Sequence, residues 1–294
     1  MDIKEFGNII VAEVADVLGD NVEVSYKEVL KNNGIICHAV LIKKKGENVA
    51  PAIYLDQYFE DYKRGIVLMK IIRNILDFYN EHAPEGLIDV NYYEEFSKIC
   101  DKLFFKVINY EKNKKFLEDV PYVRFQDLAQ VPLVKVDDRF IGSGVIVVKK
   151  EHVLRWEISE DELWENVYEN APRVQPFLME HILESLGEKG KECEPFLREM
   201  NTFVITNKEK VNGAGVFLYP GVSESISGKF GGDFIILPSS IHEAIVMPYF
   251  DEEGKREFLY SMVKDINSQV VSDGDVLSDS VYLYEATKGE IRIL

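Results

Sequence analysis

Long apolar runs are missing from this chain. The longest, from Ile66 to Leu76, is interrupted by Lys70, Arg73 and Asn74, so no segment approaches the roughly 20 apolar residues that span a bilayer. The opening MDIKEFGNIIVAEVADVLGD lacks the basic start, apolar middle and small-residue cleavage site of a secretory signal. A soluble cytoplasmic protein is expected. Cysteine is scarce: Cys37, Cys100 and Cys193 are odd in number and far apart, which suits neither a disulfide framework nor a C-x-x-C metal or redox motif. Buried free thiols are expected. Positive charge is also short, with 34 Lys and Arg against 51 Asp and Glu and a formal net charge of −17. Such a field repels phosphate backbones and anionic lipid, so neither nucleic acid nor membrane is an expected partner. The lysine-bearing runs at 35–47 and 102–115 read as solvated faces.

What is present is enough for a sizeable core. The 294 residues are 46% hydrophobic and 12% aromatic, which allows one large domain or two ordinary ones. Ile3, Phe6, Ile10, Val14 and Val17 recur at helical spacing, with Gly19 to close the helix. VEVSYKEVL and GIICHAVLIKK read as strands joined through an Asn-Gly turn, and APAIYL as a third. A helical region follows from Asp56, its second helix IVLMKIIRNILDFYNEH apolar over enough of its circumference to be largely buried. NYYEEFSKICDKLF resumes a helical pattern, FFKVINY is a strand, and VPYVRFQDLAQVPLVKVDD, with two prolines, reads as edge strands and connections.

Further on, IGSGVIVVKKEHVLRWEIS reads as two strands, and SEDELWENVYENA as a helix with Ser159 and Glu162 as a capping box and Pro172 past its end. Pro176 opens another expected helix carrying Leu178, Ile182 and Leu186. The charged stretch Gly187 to Glu194 is the expected boundary between an N-terminal region, 1–187, and a C-terminal region, 195–294, unless the two form one continuous domain. Strand GVFLY, a helix around VSESIS, strands DFIIL and HEAIVMP, a helix from Gly254 to Ile266, and the pair VYLYEA and IRIL complete the chain. Strands recur in twos and threes before an acid-started helix. The expected class is α+β, with mostly antiparallel sheet, strand-strand-helix units and a buried helical region after the first strands.

The polar segment LPSSIHEAIVMP, Leu237 to Pro248, is the strongest candidate for chemistry. H-E-x-x-H zinc peptidases hold metal with two histidines one helical turn apart, but four residues after His242 stands Val246. A serine-histidine-acid site needs a presented nucleophile, an imidazole within reach and a carboxylate to orient it. Ser239 and Ser240 in the turn, His242, Glu243, and Asp233 on the preceding strand are the candidate residues, although no G-x-S-x-G elbow is present. The competing reading is structural, with serines that cap a turn and a histidine that begins a strand. Gly228 and Lys229 are followed by Phe230, which does not complete a P-loop, and Gly213 and Gly215 do not lead into a helix as a dinucleotide fingerprint would. The acidic segment EISEDELWENVYEN lacks the spacing of a calcium loop. No metal or cofactor is expected.

The order of DLAQVPLVKV, ISEDELWENVYENA, GAGVFLYPG and DFIILPSSIHEAIVMP resembles a family of bacterial proteins of unassigned function, common in gut Firmicutes, with LPSSIHE its most distinctive piece. That resemblance implies no activity, cofactor or catalytic residue. The expected function is a non-catalytic module that binds another protein. The alternatives are a small-molecule hydrolase or transferase built on the Ser239, Ser240 and His242 cluster, and an acidic nucleic-acid mimic that blocks a DNA-binding enzyme.

Overall fold

The computed structural model describes residues 1–47, 50–82, 91–138, 142–186, 201–238, 240–251 and 253–294. They form two compact units, one of Met1–Asn91 with Asp137–Gly144 and one of Tyr92–Val136 with Val145–Leu294. The class is α+β, as the sequence pattern predicts. None of the described helices is long and apolar enough to cross a membrane.

The first unit contains α1 (Ile3–Leu18), β1 (Val22–Leu30), β2 (Ile36–Lys44), β3 (Ala52–Tyr54), α2 (Asp56–Lys63) and α3 (Leu68–His82). Local chemistry starts α1: the Asp2 carboxylate accepts from the Glu5 N–H at 2.8 Å while Glu5 accepts from the Asp2 N–H at 3.0 Å, a reciprocal capping box. The strands form an antiparallel sheet in the order β1-β2-β3, in which Leu30 faces Ile36 across the turn. Asn33 and Gly34 in that turn both take positive φ, 59° and 74°, as an Asn-Gly step favours. Phe6, Ile10 and Val14 of α1 pack with Val40, Ile42 and Ile53 of the sheet and with Ile71, Ile72, Ile75 and Tyr79 of α3. The expectation of a largely buried α3 needs correction: Met69 is 66% and Phe78 40% exposed, so the helix is amphipathic, with one face turned to the core.

The second unit runs β4 (Leu103–Asn109), α4 (Lys114–Leu117), β5 (Val123–Phe125), β6 (Leu128–Asp138), β7 (Gly142–Val147), α5 (Lys150–Arg155), α6 (Glu160–Val174), β8 (Phe177–His181), α7 (Ile182–Leu186), β9 (Phe203–Asn207), α8 (Val222–Phe230), β10 (Phe234–Leu237), β11 (Ala244–Pro248), α9 (Lys255–Gln269), β12 (Tyr282–Glu285) and β13 (Glu290–Ile293). Its smaller sheet has the order β4-β6-β5 with β7 paired to β6, and its larger one the order β13-β12-β10-β11-β9-β8. The larger sheet is antiparallel throughout. Strand β10 is buried on both faces: Phe234 and Ile236 enter the core shared with β4, β6 and α6, whereas Ile235 and Leu237 pack under Leu259 and Val263 of α9. A continuous apolar FIIL is what a strand covered on both sides requires.

Several local expectations yield to long-range pairing. Pro132 lies in β6, a central strand, and not in an edge strand. Its carbonyl accepts from the Val148 N–H at 3.0 Å. A strand residue points its N–H and C=O to the same flank, so the missing N–H faces that flank, where β5 has ended, and the β4 ladder loses nothing. QPFLMEH fits helical spacing but forms β8, because β9 offers an edge on which Phe177–His181 pair from Asn207 back to Phe203. VLRWEIS begins in the last turn of helix α5 and continues past its end, with Val153 and Trp156 buried, and does not form a second strand. GVFLY is a 3-10 turn, Ala214–Leu218, with Ala214, Gly215, Val216 and Phe217 buried. NYYEEFSKICDKLF breaks into short 3-10 turns, and α6 continues through Pro172 to Val174.

The expected boundary residues 187–194 lie outside the described residues. The compact units divide after Asn91 and on either side of Asp137–Gly144, and β8 and β9 pair with each other from either side of the stretch 187–194. Cys37 and Cys100 are free and half-buried where full burial was expected; Cys193 lies outside the described residues. Lys43, Lys44, Lys45, Lys112, Lys114 and Lys115 are exposed, whereas Lys106 in β4 is half-buried.

A histidine couples the second unit to pH. His152 Nδ1 accepts from the Tyr93 hydroxyl and from the Lys149 N–H, each at 3.0 Å. Burial holds the imidazole below its ordinary value, the Arg155 and Lys149 charges adding to that effect and Glu151 opposing it. Protonation therefore favours the unfolded chain. The contribution is complete above the unfolded value of about 6.5 and is lost as pH falls through the lower folded value. His152→Asn, which keeps an acceptor for the Lys149 N–H, should flatten this part of the acid limb in a series of urea midpoints from neutral pH downward. An unchanged limb would remove His152 as its source.

Candidate functional site

LPSSIHEAIVMP occupies the end of β10, a connecting turn and β11, and Asn207–Gly213 and Ser272–Asp275 meet it there. The Ile241 N–H donates to the Asp275 carbonyl at 2.8 Å, and the Ala214 N–H to the Ile241 carbonyl at 3.2 Å. The His242 carbonyl accepts twice, from the Gly213 N–H at 3.0 Å and from the Thr206 hydroxyl at 2.7 Å. This density requires close backbone approach at Gly213. A Cβ there would lie 2.5 Å from the Asn207 nitrogen and 2.9 Å from the His242 oxygen, closer than real side chains come.

The imidazole of His242 is engaged at both nitrogens. Nδ1 accepts from the Asn212 N–H at 3.2 Å, which places the ring proton on Nε2. Nε2 lies 3.4 Å from Asp275 Oδ1, and the Ser272 hydroxyl donates to the other carboxylate oxygen at 2.7 Å. A general base needs a ring nitrogen whose lone pair faces the nucleophile. Here one lone pair is taken by backbone and the other nitrogen faces a carboxylate, so the pair orients a loop.

Ser240 sits beside His242, but its hydroxyl accepts from the His242 main-chain N–H at 3.0 Å, and its own N–H donates to the Glu243 carbonyl at 3.3 Å. That is the capped turn of the structural reading. Glu243 is half-buried next to β11. Ser239 lies outside the described residues. Asp233 is at the opposite end of β10, four residues long, a separation of about 13 Å at strand rise, and its carboxylate accepts from the Ala286 N–H at 2.8 Å. The expectation that Asp233 could approach His242 is therefore corrected: the acid beside the ring is Asp275. Its only sequence signal is the turn-forming run SDGD. Val246, where a zinc peptidase would have its second histidine, is a fully buried β11 residue, and among the described residues no group of three or more His, Cys, Asp or Glu is gathered as metal ligands would be.

A second polar cluster escaped the sequence reading altogether. Asp127, in the turn between β5 and β6, accepts from the hydroxyls of Ser278 at 2.5 Å, Ser280 at 3.0 Å and Tyr282 at 2.5 Å. Burial first, and then the Asp127 charge, push the Tyr282 phenol far above its ordinary value, so it remains a donor. With three donors on one carboxylate, the cluster is a joint between the two sheets.

A model of a family of unknown function (DUF5688) matches residues 3–286. No curated protein and no solved structure matches the chain. The match takes in both compact units almost completely, and the protein therefore belongs to this family of unknown function, DUF5688.

Proposed function

We propose that this protein works by binding another protein, as a non-catalytic module in the cytoplasm of a gut bacterium. The observation that carries the reading is the engagement of both His242 nitrogens, by the Asn212 N–H and by Asp275, which leaves the Ser240 and His242 pair without a base. The net charge of −17 then speeds encounter with a basic partner and discriminates against acidic ones. The resemblance carried by LPSSIHE supports the bacterial setting. The rival reading, a hydrolase or transferase at Ser240 and His242 with Ser239 and Glu243, makes the opposite demand on the same imidazole.

The test has two arms. In the first, the purified chain and its His242→Ala variant are assayed on ester, amide and phosphoester substrates. No turnover above buffer is expected from either, and turnover abolished in the variant overturns the reading. In the second, the immobilised chain is exposed to bacterial lysate at about 50 and about 300 mM salt, where screening differs strongly. A reproducible partner whose retention falls with salt is expected, and no partner above an acetylated-serum-protein control of matched charge counts against it.

A further inference from the structure

The second unit carries an open cleft of about 260 Å³ between the chain leading into α8 and the β12–β13 hairpin. This is below the roughly 300–1,000 Å³ of sites for drug-sized ligands, so the occupant is small. Phe125, Phe217, Tyr219, Tyr284 and Ile291 wall it. Tyr219 and Tyr284 are only 4% and 3% exposed, yet among the described residues neither hydroxyl has a hydrogen-bond partner. Neither oxygen is sealed from solvent, which leaves both able to accept from a ligand in the cleft. Ser223, also in the lining, is committed, because its hydroxyl donates to the Phe217 carbonyl at 2.7 Å.

Among the described residues the one charged group in the lining is Glu224, in the first turn of α8. It is exposed, and among the described residues no cation lies within ion-pair distance of it. Its charge reaches the Tyr284 phenol, which is raised first by burial and then by Glu224. Aromatic faces attract a cation through their quadrupoles, a carboxylate supplies the counter-charge, and phenol oxygens accept N–H bonds. The same carboxylate and the overall negative field exclude an anion.

We propose that this cleft binds a primary ammonium group on a short apolar stem, with Glu224 as counter-ion and the Tyr219 and Tyr284 hydroxyls as acceptors. The group can come from a free small amine or from the lysine side chain of a partner, and the inference stands independently of the protein-binding reading. The full chain is titrated, by calorimetry and by aromatic proton shifts, with n-pentylammonium, n-pentanol, pentanoate and an acetyl-lysine-methylamide probe with a free ε-amine. The ammonium compounds are expected to bind, the alcohol about tenfold more weakly and the carboxylate not at all, and Glu224→Gln should weaken ammonium binding by about tenfold. Tyr284→Phe, which keeps the wall, should weaken it by about threefold to tenfold. Tighter binding of the lysine probe assigns the site to a partner's lysine and tighter binding of pentylammonium to a free amine; either supports the proposal. Failure of both ammonium compounds to bind, equal binding of the alcohol, or ammonium affinity unchanged in both variants overturns it.

Discussion

Asp127→Ala is expected to destabilise the second unit by about 3–5 kcal/mol, since hydrogen bonds to a charged acceptor contribute about 1.5–3 kcal/mol each and are not additive. The hydroxyls of Ser278, Ser280 and Tyr282 would lose their common acceptor. Ser278 and Tyr282 are 1% and 0% exposed, so water does not replace it cheaply. For a unit of this size the loss corresponds to a fall of roughly 10 °C in melting temperature. Asp127→Asn, which retains one carbonyl acceptor, should lose less. The decisive comparison is a double-mutant cycle in urea: Tyr282→Phe should cost distinctly less in the Asp127→Ala background than in the native chain. Strict additivity would mean that the phenol and the carboxylate do not cooperate, and the joint would have to be sought elsewhere.

Gly213→Ala comes next, with an expected cost of about 3 kcal/mol, toward the upper end for overpacking because the obstacles are backbone atoms. The added methyl would meet the Thr206 hydroxyl, the Asn207 nitrogen and the His242 carbonyl, and relief requires breaking the Gly213 N–H bond to His242 or the Thr206 bond to the same oxygen. His242 would then leave its place between Asn212 and Asp275, which histidine ring-proton shifts report. Gly228→Ala provides the contrast. Gly228 lies within α8 and a Cβ there meets nothing within 4 Å, so the gain in helix propensity should stabilise by up to about 1 kcal/mol. Equal effects at the two glycines would show that the crowding around Gly213 is relieved without cost.

Much of the secondary structure was legible because its causes lie within a few residues. Asp2 and Glu5, like Ser159 and the Glu162 N–H, meet across a single helical turn, and the Asn33-Gly34 step closes its own hairpin. DFIIL was legible as a strand, although only the structure shows both its faces buried. The misread segments share one property, that their conformation is decided by a distant partner. QPFLMEH becomes β8 because β9 is there to pair with it, and GVFLY coils because Gly213 must lie against Thr206 and His242.

For the candidate site the division is sharper. The residue types in LPSSIHEAIVMP were visible, together with the structural alternative of a capped turn, and the Ser240 hydroxyl bond to the His242 N–H has that form. Asp275 and Asn212 were not visible as partners of His242, nor Glu224 and Tyr284 as neighbours across a cleft, because residues far apart in the chain meet only once both sheets have formed.

By itself, then, the sequence determined the α+β class, the antiparallel preference, the capped helix starts, the acidic field and the lack of a complete catalytic or metal motif. These follow from composition and from contacts a few residues long. Tertiary structure alone decided which carboxylate faces His242, that Asp127 gathers three hydroxyls from a segment more than a hundred residues away, and where Pro132 can stand without costing the β4 ladder a bond. Each of these depends on which strand lies next to which, and the hydrogen-bonding partners of a strand are set by sheet order, which no local spacing encodes.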